Sequence, residues 1–507
     1  MEIEFFLNSI NPLITISLLA LLLLLLSLLR RKPTGKTPPG PTGIPVLGNL
    51  LQLGDLPHES MHNWRGPHGP VLWLRLGSVG TLVVQSPTAA AELFKKHDLP
   101  FSDRRAPHAV TALDFGRGTL SMSRFGPRWR ALRRLFSSEF LVGSRVAAGA
   151  GLRRRLRDDT VRWILEESAA GRAREETGYI QLGLPLFAMA FNLVGNVVLS
   201  RDLISDANDW ESRQFFDCMR RAIELAGTPN LADYLPWLEW ADPSGMRKEM
   251  EKNLGVTMRI TARFVRERLD EREARKFREG DKDFLDVLLE CDGMTEKDIN
   301  IIITEMFFAA SDTTSISIEW GFAELLRSPR TFVKVREELD RVVGVDRRVD
   351  EKDIENMPYL QAVVKEALRL HPVLPLLPRN THMDTNYMGY HIPKDTQVFV
   401  NVWSIGRDPE VWPDPLEFRP ERFLGSDIEY KGQHFELIPF GSGRRICVGL
   451  LLAHRMVHLA IASLVQLFDW DLGPGVRPED IDREEKLGLT LRKKNPLFVI
   501  PTKRINC

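Results

Sequence analysis

The chain has few cysteines and no excess of charge of either sign, and both shortages narrow its chemistry. Only Cys218, Cys291, Cys447 and Cys507 occur in 507 residues. They lie far apart with no paired spacing, which argues against a disulfide framework and against a zinc site. A reducing compartment follows. Lysine plus arginine and aspartate plus glutamate both number 68, so no net field draws the chain to nucleic acid. No glycine-rich dinucleotide fingerprint precedes a convincing helix. Beyond residue 50 there is neither a low-complexity linker nor an internal repeat. Length alone allows roughly three domains, but without linkers one large, mainly helical domain is the better reading.

Charge is also missing from Leu13 to Leu29, a leucine-dominated run that is closed at once by Arg30-Arg31-Lys32. At about 1.5 Å per residue it spans roughly 26 Å, enough to cross a thin bilayer. Basic residues on its C-terminal flank place that side in the cytosol. A cleaved secretory peptide would carry its positive charges before the apolar run and a small-residue cleavage pattern after it. The expectation is therefore an uncleaved signal anchor over residues 1–32, single-pass, in the endoplasmic reticulum membrane. Pro38-Pro39-Gly40-Pro41 and Pro45 follow. Prolines fix φ and cannot continue a helix, so residues 33–50 read as a stiff, extended hinge before a domain over 51–507.

What is present is concentrated around Cys447. The run from Phe440 to Gly449 fits Phe-x-x-Gly-x-Arg-x-Cys-x-Gly through Phe440, Gly443, Arg445, Cys447 and Gly449. A chance match at one start is on the order of 10⁻⁷. Glycines let the backbone turn and keep side chains clear of something flat and bulky. Loop N–H groups and Arg445 are expected to lower the thiol pKa and favour the thiolate.

Three other patterns sit on expected helices. Met294 to Ser328 reads as one long helix, opened by the capping-box-like Thr295-Glu-Lys-Asp298 and closed by Pro329. Its centre sets the small Ala309 and Ala310 beside Asp312 and Thr313, an acid next to a hydroxyl that can relay protons. Glu366 and Arg369, three apart on a helix from about Tyr359 to Leu370, share one face. Alone, such a pair means little. Trp129 and Arg133 lie in a segment rich in arginine (Arg124, Arg128, Arg130, Arg134), whose plain reading is a solvated basic face.

Together these segments resemble cytochrome P450, the haem-thiolate monooxygenases. They include the hinge, Trp129-x-x-x-Arg133, the Asp312-Thr313 helix, Glu366-x-x-Arg369, Pro420-Glu421-Arg422-Phe423 and the cysteine loop, in the family's order. The resemblance implies a mainly α fold with small β-sheets (α+β) and haem b ligated axially by Cys447. It makes Trp129, Arg133, Arg379 and Arg445 the contacts of the haem propionates, and Glu366, Arg369 and Arg422 a buried structural triad. Asp312 and Thr313 would supply protons for dioxygen activation. Electrons would come from NADPH through a partner flavoprotein, NADPH–cytochrome P450 reductase, which a basic face of Arg124, Arg128, Arg130 and Arg134 would dock, with Arg133 turned inward. One departure stands out: the family usually has glycine where this chain has Ala310, at the point where the helix should bulge.

By family position the substrate pocket would be lined by Val110, Leu113, Phe115, Phe307, Ala310, Val373, Leu374, Leu376 and Leu489. These are apolar, which suits a hydrophobic small molecule held by shape. The chain is similar to the plant microsomal group that contains geraniol 8-hydroxylases and other terpenoid oxidases. A terpenoid hydroxylation is expected, with a flavonoid, phenylpropanoid or alkaloid as alternative substrates. A non-oxygenating isomerase or dehydratase, or an inactive haem-binding membrane protein, fits less well because Asp312-Thr313 is kept.

Overall fold

The computed structural model describes residues 17, 21, 35–173, 178–204, 210–274 and 282–505. Of the expected anchor only Ser17 and Leu21 are among them, and Cys507 lies outside. The helices that build the site are α1 (Pro127–Leu135), α2 (Gly183–Leu199), α3 (Trp210–Gly227), α4 (Met246–Glu273), α5 (Glu296–Arg327), α6 (Pro358–Leu370) and α7 (Leu450–Leu467).

Local chemistry explains where α5 starts. The Thr295 hydroxyl accepts the Asp298 N–H, and the Asp298 carboxylate accepts the Thr295 N–H in return. Its 32 residues run for about 48 Å. Apolar side chains on almost every face of it are buried, as befits a helix that crosses the interior. Pro329 does more than close it: with its fixed φ it opens the next helix, Pro329–Val342, at its first position.

Strands are few and short. Four form one sheet in the order β1 (Val71–Leu76), β2 (Val79–Val84), β4 (Gln397–Asn401), β3 (Leu376–Asn380). Only the β2–β4 pair is parallel. A separate hairpin pairs β5 (Glu485–Leu487) with β6 (Leu491–Lys493). A core of apolar side chains from α5, α6 and α7 fills one half of the domain. A second, aromatic-rich cluster lies between α2, α3, α4 and the first half of α5.

The segment expected as an extended hinge is not extended throughout. Residues 36–43 run alongside β1, where the Trp73 N–H donates to the Pro39 carbonyl at 2.8 Å. Ile44 and Gly48 then pair across a tight turn. Gly48 is required there: its φ is +62°, and a Cβ would stand 1.9 Å from the Arg75 carbonyl oxygen.

Candidate active site

The segment before α7 is folded back on itself around Cys447. The Cys447 N–H donates to the Phe440 carbonyl at 3.0 Å, and Gly441 (φ +74°) and Gly443 (φ +66°) make the turns that allow it. At Gly443 a Cβ would collide with the Asp98 carboxylate, 2.3 Å away. A Cβ on Gly449 would lie 3.7 Å from the Cys447 sulfur. The thiol is exposed by area, yet protein surrounds its sulfur to the density of an interior group. The surface it shows therefore belongs to a space inside the molecule.

The electrostatics of the thiol differ from the sequence expectation. Burial pushes the Cys447 thiol above its ordinary pKa, because desolvation outweighs everything opposing it. The opposing groups are the Gly449 and Leu450 N–H at the start of α7, with the Arg133 and Arg104 guanidiniums. Arg445 is engaged elsewhere. Its three nitrogens donate instead to the carbonyls of Ser102 (2.9 Å), Leu120 (3.1 Å) and Ser123 (2.7 Å), and its charge lies over the Trp129 ring at 4.3 Å. It stitches the cysteine loop to residues 102–123.

Arg104, Arg133, Arg379 and Arg445 converge beside this loop. None has a carboxylate within ion-pair distance among the described residues, and the hydrogen bonds they donate go to backbone carbonyls. The Arg379 Nε is buried and has no acceptor. Burial, reinforced by the neighbouring guanidiniums, holds Arg379 well below the usual arginine range, Arg104 at about 10 and Arg445 at about 9. Buried cations without anions are costly. A flat dianionic cofactor with a soft metal centre fits this donor set: guanidiniums for its two carboxylates, a thiolate for its iron, glycines where its plane must pass. The Trp129 N–H, expected to face the propionate, donates here to the Leu120 carbonyl at 3.1 Å, and Arg104 joins the cluster as a further guanidinium.

Glu366, Arg369 and Arg422 are brought together. Arg369 forks onto both oxygens of Glu366 (2.7 and 2.8 Å), and Arg422 reaches the same carboxylate at 3.0 Å. Arg369 also donates to the Gly406, Pro415 and Glu417 carbonyls. The cluster ties α6 to the chain that leads into the cysteine loop.

At the middle of α5 the otherwise buried helix turns an open face inward: Ala309 is exposed, with Ala310, Asp312 and Thr313 half-exposed. The helix runs through Ala310 without a break. The Thr313 hydroxyl donates to the Ala309 carbonyl at 2.7 Å, and the Thr490 hydroxyl donates to Asp312 at 2.6 Å. Burial pushes the Asp312 carboxyl above its usual range, opposed by Thr490 and, farther off, by Arg492 and Arg220.

The expected pocket residues separate. Phe307 is completely buried and packs, tilted and edge-on, against Phe191 (4.9 Å) and Phe215 (5.5 Å) on the far side of α5. One position along, about 100° around the helix, the half-buried Phe308 faces Phe115 at 5.4 Å. Phe308, not Phe307, is the aromatic on the open side. Leu376 is likewise displaced. Side chains alternate along β3, so Leu376 packs outward against the cluster of Leu53, Met61 and Leu74. Leu377 shares the face of Arg379, its Cδ1 3.6 Å from where a Gly441 Cβ would be. Val110 and Phe115 are buried against α4 and α5, with Leu113 half-exposed at the edge of that cluster. Val373 packs on Ile316 and Trp320, Leu374 rests on the sheet cluster, and Leu489 caps the β5–β6 tip.

Sequence reasoning missed Arg104, Glu305 and Thr490. Glu305, two turns before Asp312 on α5, is buried and accepts the Leu120 and Ser121 N–H groups at 2.7 and 2.6 Å. Arg104 had one available signal, a basic residue three positions after the aromatic Phe101. The other two have no local signal, because their partners are distant in the chain.

The "Cytochrome P450" family profile matches residues 38–500. Iridoid oxidase from Catharanthus roseus is 61% identical, with 98% of this chain and 99% of that protein aligned. Geraniol 8-hydroxylase from Swertia mussotii is 40% identical over 92% and 93% of the two chains. Among solved structures, a zebra fish cytochrome P450 with progesterone superposes with a TM-score of 0.74 at 26% identity, covering 88% of this chain and 99% of that one.

Proposed function

The chain belongs to the cytochrome P450 family, and from that premise we propose that it is a membrane-anchored hydroxylase of terpenoids, acting on an iridoid or its monoterpenoid precursors. It is an oxidoreductase of the monooxygenase class, using haem, O2 and electrons from NADPH delivered by a redox partner. The observation that carries the substrate class is the 61% identity to an iridoid oxidase across almost the full length of both chains. The geraniol 8-hydroxylases at 39–40% point to the same chemical class. The Phe115–Phe308 wall and the other apolar groups around the open face of α5 suit such a ligand.

In this reading Cys447 would ligate the haem iron, and Arg104, Arg133, Arg379 and Arg445 would hold its two carboxylates. When bound, the haem supplies the oxidising chemistry, to which thiolate ligation contributes electron density. The chain's own part is ligation, proton supply and orientation. Asp312 holds a proton at its carboxyl and passes it toward Thr313, whose hydroxyl is aimed along the helix by the Ala309 carbonyl. Glu366, Arg369 and Arg422 keep the cysteine loop in register with α6.

The domain over 51–507 is preceded by the hinge over 33–50 and an anchor over 1–32. We place the anchor in the endoplasmic reticulum membrane, with the catalytic domain in the cytosol. The proposed reductase surface carries Arg130 and Arg134, both exposed. It is smaller than the basic cluster in the sequence, because Arg124 pairs with Asp103 and Asp395, and Arg128 with Asp298.

The test is the carbon monoxide difference spectrum of the reduced protein in membranes, titrated with geraniol and an iridoid alcohol. A red-shifted thiolate band with a ligand-induced spin change is expected. Cys447→Ser should abolish that band while leaving the protein folded. A thiolate band with no spin change for any terpenoid overturns the substrate class.

A further inference from the structure

Glu305 is a buried acid without a direct ion-pair partner. It stands on α5 one turn after Ile301, and the two share a face. The chain from Gly118 to Ser123 is seated on that face. Gly118 packs so tightly on Ile301 that a Cβ would lie 2.8 Å from the Ile301 Cγ2. One turn on, both Glu305 oxygens accept backbone N–H groups, from Leu120 at 2.7 Å and Ser121 at 2.6 Å. A carboxyl group that accepts at both oxygens is held as the carboxylate. Among the described residues no guanidinium or ammonium lies within ion-pair distance of it, and Arg104 acts on it only from farther off.

The carbonyls of the same segment are taken by cations. That of Leu120 accepts from Arg445 at 3.1 Å, that of Ser123 from Arg445 at 2.7 Å, and that of Ser121 from Arg104 at 2.5 Å. The Leu120–Ser121 peptide therefore has an anion on its N–H and a cation on its carbonyl. In a trans peptide these two groups point in opposite directions. One peptide plane thus joins Glu305 to Arg445, an ion pair with a peptide inserted between its members.

We propose that Glu305 is a positioning residue of the cofactor pocket: through this peptide it fixes Arg445, through the next it fixes Arg104, and it supplies a buried negative charge that balances them. The inference rests on the reading of these arginines as holders of the haem carboxylates. Two haem carboxylates match only two of the four guanidiniums that converge there. Glu305 acts on both Arg104 and Arg445 through space, although it touches neither. Losing its charge should therefore loosen the grip on the cofactor and raise the potential of the iron, since removing a buried negative charge favours the reduced metal.

The experiment uses the full chain in membranes and reads two properties of the bound haem that need no substrate: its rate of transfer to excess apomyoglobin and the ferric–ferrous midpoint potential. Glu305→Gln keeps the size of the side chain but turns an amide NH2 toward one of the two N–H donors. It is expected to keep the thiolate–carbon monoxide band, to lose haem about tenfold faster, the factor carried by one charge-assisted hydrogen bond, and to shift the potential upward. Glu305→Asp keeps the charge and shortens the reach, so it should lose haem faster while its potential stays closer to the parent's. In an Arg445→Lys background Glu305→Gln should add clearly less than tenfold; a full tenfold would show that the two residues act separately and overturn the proposal. Transfer from Glu305→Gln at the parent's rate overturns it as well. Faster transfer at an unchanged potential means that the side chain only packs the loop, and the proposal falls. Where Glu305→Gln yields no thiolate band, Glu305→Asp is read instead, and transfer at the parent's rate there is the overturning result. A parent chain without that band refutes the haem reading and takes this inference with it.

Discussion

Phe307 and Phe308 are adjacent and chemically identical, yet the structure gives them opposite tasks. Phe307 is fully buried between Phe191 and Phe215, so Phe307→Ala should destabilise the domain by about 3–5 kcal/mol. That cost is measurable as a loss of carbon monoxide-binding protein on heating. Phe308→Ala, on the half-buried side against Phe115, should leave stability nearly unchanged and alter the product profile; equal effects on both readouts would show that the two rings are not divided in this way. Ala310 stands on the open side too. Ala310→Gly should cost up to about 1 kcal/mol in helix stability and change the position or rate of oxidation, read by chromatography of the products. Pattern reading placed the right helix at the right point. It erred by one residue because family position alone did not set the helical phase.

Among elements, the join between α6 and the chain leading to the cysteine loop carries the greatest leverage. Arg369 is wholly buried and uses its guanidinium on Glu366 and three carbonyls. Glu366→Gln removes the carboxylate shared by Arg369 and Arg422 and leaves two cations in the interior. Breaking a buried pair in this way costs about 3–5 kcal/mol. The expected result is protein that retains its helical content by circular dichroism but binds haem poorly, because the loop that presents Cys447 is no longer held. An undiminished thiolate band would show that the triad is dispensable to the pocket. The glutamate–arginine spacing was legible from the sequence, since three residues on a helix share a face. That it is buried, and so matters, depends on Arg422 arriving from more than fifty positions away.

For the whole molecule, stability in acid is tied to a second buried network that links distant parts of the chain. Glu324 near the end of α5 meets His371 beyond α6 (2.8 Å) and Arg483 before β5 (2.6 Å). Burial pushes the Glu324 carboxyl up, but His371 and Arg483 outweigh it and hold it at about 2, against 4.5 for a free glutamate. A depressed carboxyl pKa gives stability that is complete above the unfolded value and is lost as pH falls through the folded one. Glu324 therefore contributes about 3 kcal/mol that should disappear between pH 4.5 and about 2. Glu324→Gln should lower thermal stability at neutral pH and flatten its dependence on pH across that interval, which thermal unfolding followed at a series of pH values would reveal.

Family and fold class were both legible in the chain before it was folded. They rest on short local patterns, Cys447 with its glycines, Glu366 with Arg369, Thr295 with Asp298, whose geometry follows from backbone spacing. The place of Arg104 beside the cysteine loop, the clamp at Glu305 and the Thr490 hydroxyl on Asp312 were not legible, because each acts on a partner brought near only by packing. The thiol's electrostatics were misread for the same reason. Neighbours in sequence pointed to Arg445 and a lowered pKa. Folding turns Arg445 onto backbone carbonyls and encloses the sulfur, and desolvation, which no local pattern records, then outweighs the N–H groups at the start of α7.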